Sequence, residues 1–258
     1  DEYLSGNVRR KLRMAKAFLE TASDSQKEAA RRQVEALEAV QPADLGAGEI
    51  GVRIGANWVP IHIYQQFMVE LLTPGYYARN RIKILRSEVT GQWAITEKNS
   101  DRGNVKVLTT YGTKRMSAYH ILEQTLNQKD VRVFDYIEDE NGNKKAVLNK
   151  KETAIAQDKQ DQIKEKFQEW VWADPSRRER LCSLYNEKFN AIRPREYDGS
   201  HLVFAGMNPE ITLRPHQRNA VARAIYGGNA LFAHVVGAGK TYEMIATAME
   251  SKRLGLSS

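Results

Sequence analysis

The sequence predicts an α+β fold: helical hairpins around a small antiparallel-sheet domain, closing on a helix, a strand, a glycine turn and a further helix. Three observations predict it. Apolar residues recur at helical spacing in several stretches between residues 7 and 192. Two pairs of strand-like runs flank turn-forming residues, at Thr90-Gly91-Gln92 and at Asn141-Gly142. Gly237-Ala238-Gly239-Lys240-Thr241 stands between an apolar run and a helical stretch, the setting of a phosphate-binding turn.

Residues 7–21 form the first predicted helix, with Leu12, Ala15 and Leu19 on one face. Ser25 and Glu28 read as a capping box for a second. That helix carries Ala30, Val34 and Leu37 inward and stops before Pro42. Residues 1–42 are therefore a helical hairpin. A glycine-rich linker follows, and Pro60 suits a first helical position ahead of Ile61, Tyr64, Phe67, Met68 and Leu71. Residues 81–87 and 93–97 alternate as a hairpin, and Val105–Thr109 reads as a third strand. Ser117 opens a helix with Tyr119, Leu122 and Leu126 inward. Residues 131–137 and 145–148 pair around Asn141-Gly142, completing a small α+β domain over 43–150.

Two long helices over 151–198 form a second hairpin. Ile155, Ile163, Phe167 and Trp170 mark the first, and Leu181, Leu184, Tyr185, Phe189 and Ile192 the second. Asp174 caps the second with Pro175 in its first turn. Trp170 and Trp172 read as packing residues, since a tryptophan buries a large apolar area. Residues 199–258 hold a loop, a helix after Thr212-Leu213-Arg214-Pro215-His216-Gln217, the apolar run Asn229–Ala233, the glycine turn and a closing helix.

Composition narrows the function classes. No run approaches the length of a membrane span. Cys182 is the single cysteine, which excludes an internal disulfide and fits a reducing cytoplasm. The histidines at 62, 120, 201, 216 and 234 lack metal-ligand spacing. The net charge is +7, with an excess of four basic residues in 46–150 and three in 201–258. Such a balance suits a polyanionic partner.

The glycine turn carries the chemistry. Gly237 and Gly239 let backbone amides, with that of Ala238, close around phosphate oxygens. The helix N-terminus adds partial positive charge, and Lys240 adds a full one. Thr241 offers a hydroxyl to a magnesium ion. The fuller pattern has a glycine five residues before Gly239, where this chain has His234. A nucleoside-triphosphate hydrolase also holds its magnesium with a carboxylate on a later strand. Only 17 residues follow Thr241, so the chain reads as a piece of a larger protein.

Leu213-Arg214-Pro215-His216-Gln217, a helix, and then Ala233-His234-Val235-Val236-Gly237-Ala238-Gly239-Lys240-Thr241 resemble the start of superfamily II helicases of the Swi/Snf type. The resemblance implies a RecA-like α/β motor domain beginning in 199–258 and an ATPase that translocates on duplex DNA. It implies that Gln217 reads the adenine edge, Arg214 packs on the base, Lys240 holds the β- and γ-phosphates and Thr241 the magnesium. A wider similarity rests on Glu2-Tyr3-Leu4-Ser5-Gly6-Asn7-Val8, Tyr111-Gly112-Thr113, Val147-Leu148-Asn149-Lys150-Lys151-Glu152-Thr153 and Arg195-Glu196-Tyr197-Asp198-Gly199. Those segments are similar to large phage and integrative-element proteins that join an adenine-specific DNA methylase to such a helicase. The implied partners are DNA, a second motor lobe and a methylase domain in the rest of the chain. No Asp/Asn-Pro-Pro-aromatic methylase motif occurs in these residues. Two other readings stand beside this one: a nucleic-acid-binding connector with a vestigial phosphate loop, its surface including Arg79, Arg81, Lys83, Lys114 and Arg115, and a phosphate-loop ATPase that does not act on DNA.

Overall fold

The computed structural model describes residues 2–138 and 144–257. The fold is α+β, mostly helical, with three two-stranded antiparallel sheets among the described residues. Contacts gather the chain into two compact units, residues 43–190 and residues 1–42 with 191–258. Where the sequence divides the chain into four segments, the helices of 151–190 share one unit with 43–150.

In the unit of residues 43–190, an irregular stretch buries Val52, Ile54 and Val59 and leads into α3 (Ile61–Leu72). The two helices before it, α1 (Val8–Thr21) and α2 (Asp24–Glu38), belong to the other unit. Pro60 is the N-cap of α3, one position outside the helix rather than in its first turn. Next come α4 (Tyr76–Arg81) and the hairpin β2 (Ile84–Arg86) and β3 (Trp93–Ile95), in the register Ile84↔Ile95 and Arg86↔Trp93. Val105–Thr109 is not a strand. Lys106–Thr110 winds into a single π-helical turn, and Thr109 Oγ1 donates to the Val105 carbonyl at 2.8 Å. That local bond offers the backbone an alternative to a sheet ladder. Ser117 caps α5 (Ala118–Leu126). The hairpin β4 (Phe134–Glu138) and β5 (Lys144–Leu148) pairs antiparallel, and its predicted Asn141-Gly142 turn lies outside the described residues.

The long α6 (Lys150–Val171) begins at Asn149, whose side chain accepts from the Glu152 amide. Asp174 caps α7 (Pro175–Phe189) in the same way, accepting from the Arg177 amide at 2.7 Å. The core joins α3, α5 and α6 through Tyr64, Phe67, Tyr119 and Phe167. Tyr64 stacks on Phe167 at 5.6 Å, and Phe67 meets Phe167 edge-on at 5.1 Å. Tyr119 is fully buried and donates to Asp101 at 2.9 Å; burial first, and then Asp101, raises its ionisation well above the phenol range. Trp170 packs on Phe67 and lies under the guanidinium of Arg177 at 3.5 Å, while Trp172 is half-buried against the same core. Ile155, predicted inward, is instead exposed near the start of α6.

The second unit opens with β1 (Gly6–Asn7), α1 (Val8–Thr21) and α2 (Asp24–Glu38). Ala15, Val34 and Leu37 pack with Leu4, Leu12 and Leu19 to close the hairpin. The cap of α2 is Ser23, not Ser25. The helix starts at Asp24, so Ser25 and Glu28 already lie within it, and Gln26 reaches back to the Ser23 amide. Helix α7 stops at Phe189, short of Ile192, because the Ala191 carbonyl accepts from the Val8 amide at 3.0 Å. Ile192 and Arg193 form β6 against β1, and Ile192 is exposed.

A loop from 194 leads to α8 (Pro215–Gly227), and the chain ends in α9 (Lys240–Arg253). The two helices pack through Leu213, Val221, Ala222 and Ala246, with Leu202 beneath. The predicted strand at Asn229–Ala233 is not formed. No strand lies beside the run among the described residues, and Leu231 is 85% exposed. A parallel strand is held by its neighbours' ladder bonds and by cover on both faces. Neither is supplied to this run. No helix is long and apolar enough to cross a membrane among the described residues.

Candidate functional site

The glycine loop between residues 234 and 240 lies against the start of α8. Gly237 and Gly239 both adopt left-handed backbone, at φ 85° and 88°. At Gly239 a second constraint applies. A Cβ there would fall 2.2 Å from Nε2 of Gln217, so only glycine fits both the conformation and the contact. His234, at the position of the missing glycine, needs no left-handed backbone, so a side chain is tolerated there.

Helix α9 begins at Lys240, with Gly239 as its N-cap. The amides of Gly237, Gly239, Lys240 and Thr241 donate to no backbone carbonyl among the described residues. They are unpaired donors at a helix N-terminus, where partial positive charge gathers. Lys240 Nζ donates to the carbonyls of His234 at 2.9 Å and Val235 at 3.1 Å, drawing the loop closed around the ammonium. Thr241 is exposed, and its hydroxyl has no partner among the described residues.

Gln217 ties the two motifs together. It is buried in the first turn of α8. Its Oε1 accepts from the Arg214 amide at 2.8 Å, and its Nε2 donates to the Ala238 carbonyl at 3.0 Å. Arg214 is the N-cap of α8, and its side chain is exposed. The predicted residues Arg214, Gln217, Gly237, Ala238, Gly239, Lys240 and Thr241 thus meet at one place. Both ends of the Gln217 amide are already engaged within the protein.

A histidine–glutamate cluster under the loop was not legible in the sequence. Glu243 is 0% exposed, and its Oε1 accepts from His234 Nδ1 at 2.7 Å. His216 Nε2 lies 3.9 Å from the same oxygen and 3.1 Å from the Ala238 carbonyl. The two imidazole rings meet edge to face at 5.5 Å. Glu243 Oε2 is buried without a hydrogen-bond partner among the described residues, an energetic cost that the His234 contact offsets in part. The only signal in the sequence was Glu243 three residues past Lys240. It needed the loop geometry to bring His234 back over it.

In the other unit, Arg79, Arg81 and Lys83 lie together at and just beyond α4. Arg115 is instead paired with Asp135 at 2.8 Å. The sequence reading missed Tyr76 and Tyr77 on the same short helix, exposed by 79% and 82%. Among the described residues no three histidine, cysteine or acidic side chains are placed to hold a metal ion.

Residues 53–191 match a family described as a domain of unknown function, DUF8437. The match spans more than half of the chain, and the chain belongs to this family. The matched stretch coincides with the unit of residues 43–190 except at its edges, and it ends before α8 and the glycine loop. No curated protein and no solved structure matches the chain.

Proposed function

We propose that residues 199–258 are the ATP-binding opening segment of a RecA-like motor, within a DNA-dependent ATPase that translocates on duplex DNA. The observation that carries this reading is the bond from Gln217 to the Ala238 carbonyl. It brings the glutamine element and the glycine loop, 21 residues apart in sequence, into direct contact. What supports a triphosphate ligand is that the amides of Gly237, Gly239, Lys240 and Thr241 lack backbone partners among the described residues, beside a helix N-terminus that opens with Lys240. Thr241 would hold the magnesium ion, whose charge would neutralise the phosphates. Lys240 would exchange its two carbonyl partners for β- and γ-phosphate oxygens. The adjoining DUF8437 domain would serve as the connector and as a DNA contact.

The test is nucleotide binding and turnover by the full chain. A fluorescent ATP analogue should bind, and Lys240→Ala should abolish binding while leaving the affinity for duplex DNA within about twofold, since duplex contacts are spread over many phosphates. Phosphate release by residues 1–258 should stay at background with DNA present, because hydrolysis also draws on a magnesium-holding carboxylate from a later strand and on a second lobe. DNA-stimulated turnover lost on Lys240→Ala would show that these residues suffice. No binding of the analogue would leave the loop a packing turn.

A second reading rests on a separate observation, the exposed Tyr76 and Tyr77 beside Arg79 and Arg81. On it, the chain is a nucleic-acid connector in which the loop binds nothing. DNA binding that ignores ATP and falls with salt, with no binding of the analogue, favours that reading.

A further inference from the structure

Helix α4 has six residues and carries Tyr76, Tyr77, Arg79 and Arg81. Positions three and four apart share a helix face, so Tyr76 stands with Arg79 and Asn80, and Tyr77 with Arg81. Arg79 and Asn80 form one wall of a groove of about 390 Å³. Its other wall is α3, through His62, Gln66 and Glu70, and Lys83 also lines it. The two tyrosine rings meet edge to face, 5.6 Å apart at 84°, and both remain largely exposed, so each still offers ring surface to solvent.

Basic charge exceeds acidic charge on this surface. Arg79, Arg81 and Lys83 have no carboxylate partner among the described residues. Glu70, the one acid in the groove, already accepts from Gln66 and from the Trp170 indole. Three free cations beside two open aromatic faces and a polar groove offer little to an apolar partner. They match a chain with alternating anions and flat rings.

We infer that α4 and this groove bind an unpaired nucleic-acid strand, with bases stacking on Tyr76 and Tyr77 and phosphates meeting Arg79, Arg81 and Lys83. In a duplex the base faces are already stacked on one another, so two exposed tyrosines gain nothing from it. In a single strand each base presents a face to an aromatic side chain. The groove wall adds amides at Gln66 and Asn80 that can bond base edges, since an amide both donates and accepts. The inference concerns residues 61–83 alone. It stands whether or not Lys240 holds a nucleotide, and it differs from the duplex partner of the proposed motor.

The test uses the full chain without nucleotide and a fluorescein-labelled oligothymidylate of about 16 nucleotides, against a blunt duplex of the same length. The strand should bind more tightly than the duplex. Tyr76→Ala with Tyr77→Ala should weaken strand binding about tenfold or more, and Tyr76→Phe with Tyr77→Phe should retain it, because stacking needs the ring and not the hydroxyl. Arg79→Ala should lower the salt dependence of strand binding by about one phosphate contact. Both tyrosines are exposed, so the alanine variant should keep the wild-type melting curve. Strand binding unchanged by the double alanine variant, or a duplex bound as tightly as the strand, would overturn the inference. So would failure to bind either nucleic acid at low salt, which would leave the tyrosines to a protein partner.

Discussion

The side-chain amide of Gln217 donates to the main-chain carbonyl of Ala238 at 3.0 Å, joining two motifs 21 residues apart into one site. The bond makes Gln217 a strut for the glycine loop as well as a candidate reader of the base. Gln217→Ala should therefore act twice. It should lower the affinity for the ATP analogue several-fold by releasing the loop, and it should erase the preference for adenine over guanine nucleotides. Competition between ATP and GTP on the full chain separates the two. Unchanged preference with weakened binding would leave Gln217 a strut alone.

Gly239 is constrained by both its φ and the approach of Gln217. Gly239→Ala should cost about 1–2 kcal/mol for the left-handed backbone alone, with the steric contact adding to it. The melting temperature should fall, and the nucleotide analogue should bind more weakly than to a Gly206→Ala control. Gly206 also has positive φ, but a Cβ there meets nothing within 4 Å, so the control isolates the contact with Gln217.

The His234–Glu243 pair sets a third expectation. Removing His234 leaves the buried Glu243 carboxyl group without its hydrogen-bond donor. His234→Ala should destabilise the chain by about 1–2 kcal/mol, at the low side of the range for a buried pair because the imidazole is partly exposed. Glu243→Ala combined with His234→Ala should cost less than the sum of the two single changes. A double-mutant cycle in urea measures the coupling, and strict additivity would mean that the 2.7 Å contact contributes nothing.

Asp135 sets a pH dependence in the other unit. Hydrogen bonds from Arg115 and then Asn149 hold its carboxyl group below the ordinary value of 3.8. A group with a lowered folded value contributes stability that is present above the unfolded value and lost as pH falls through the folded one. Acid unfolding of the wild-type chain should therefore steepen below about pH 4. Asp135→Asn should flatten that limb without changing the melting curve's pH response above it. Circular dichroism across an acid titration reads both, and identical acid limbs would remove Asp135 as a contributor.

Much of the secondary structure was legible because it is written in local chemistry. Asp174 caps α7 as its side chain dictates, and Gly91 allows the turn between β2 and β3 at φ 69°. The errors fell where two local signals competed. Ser23 with Gln26 took the cap from Ser25 with Glu28, and the Thr109 hydroxyl bond drew Val105–Thr109 out of a strand. Asn229–Ala233 reads as a strand only from its apolar side chains, and a strand also needs a neighbour.

The sequence by itself determined the glycine loop, the glutamine element and the order of the longer helices, though not the short α4, because turn geometry, capping and amphipathic period act over a few residues. Only the tertiary structure decided that Gln217 bonds the Ala238 carbonyl, that Glu243 lies buried against His234 and that Tyr76 and Tyr77 stand exposed near three cations without carboxylate partners among the described residues. Those facts depend on which distant groups share a dielectric environment and a hydrogen-bonding distance. Packing sets both, and no pattern of neighbours along the chain encodes them.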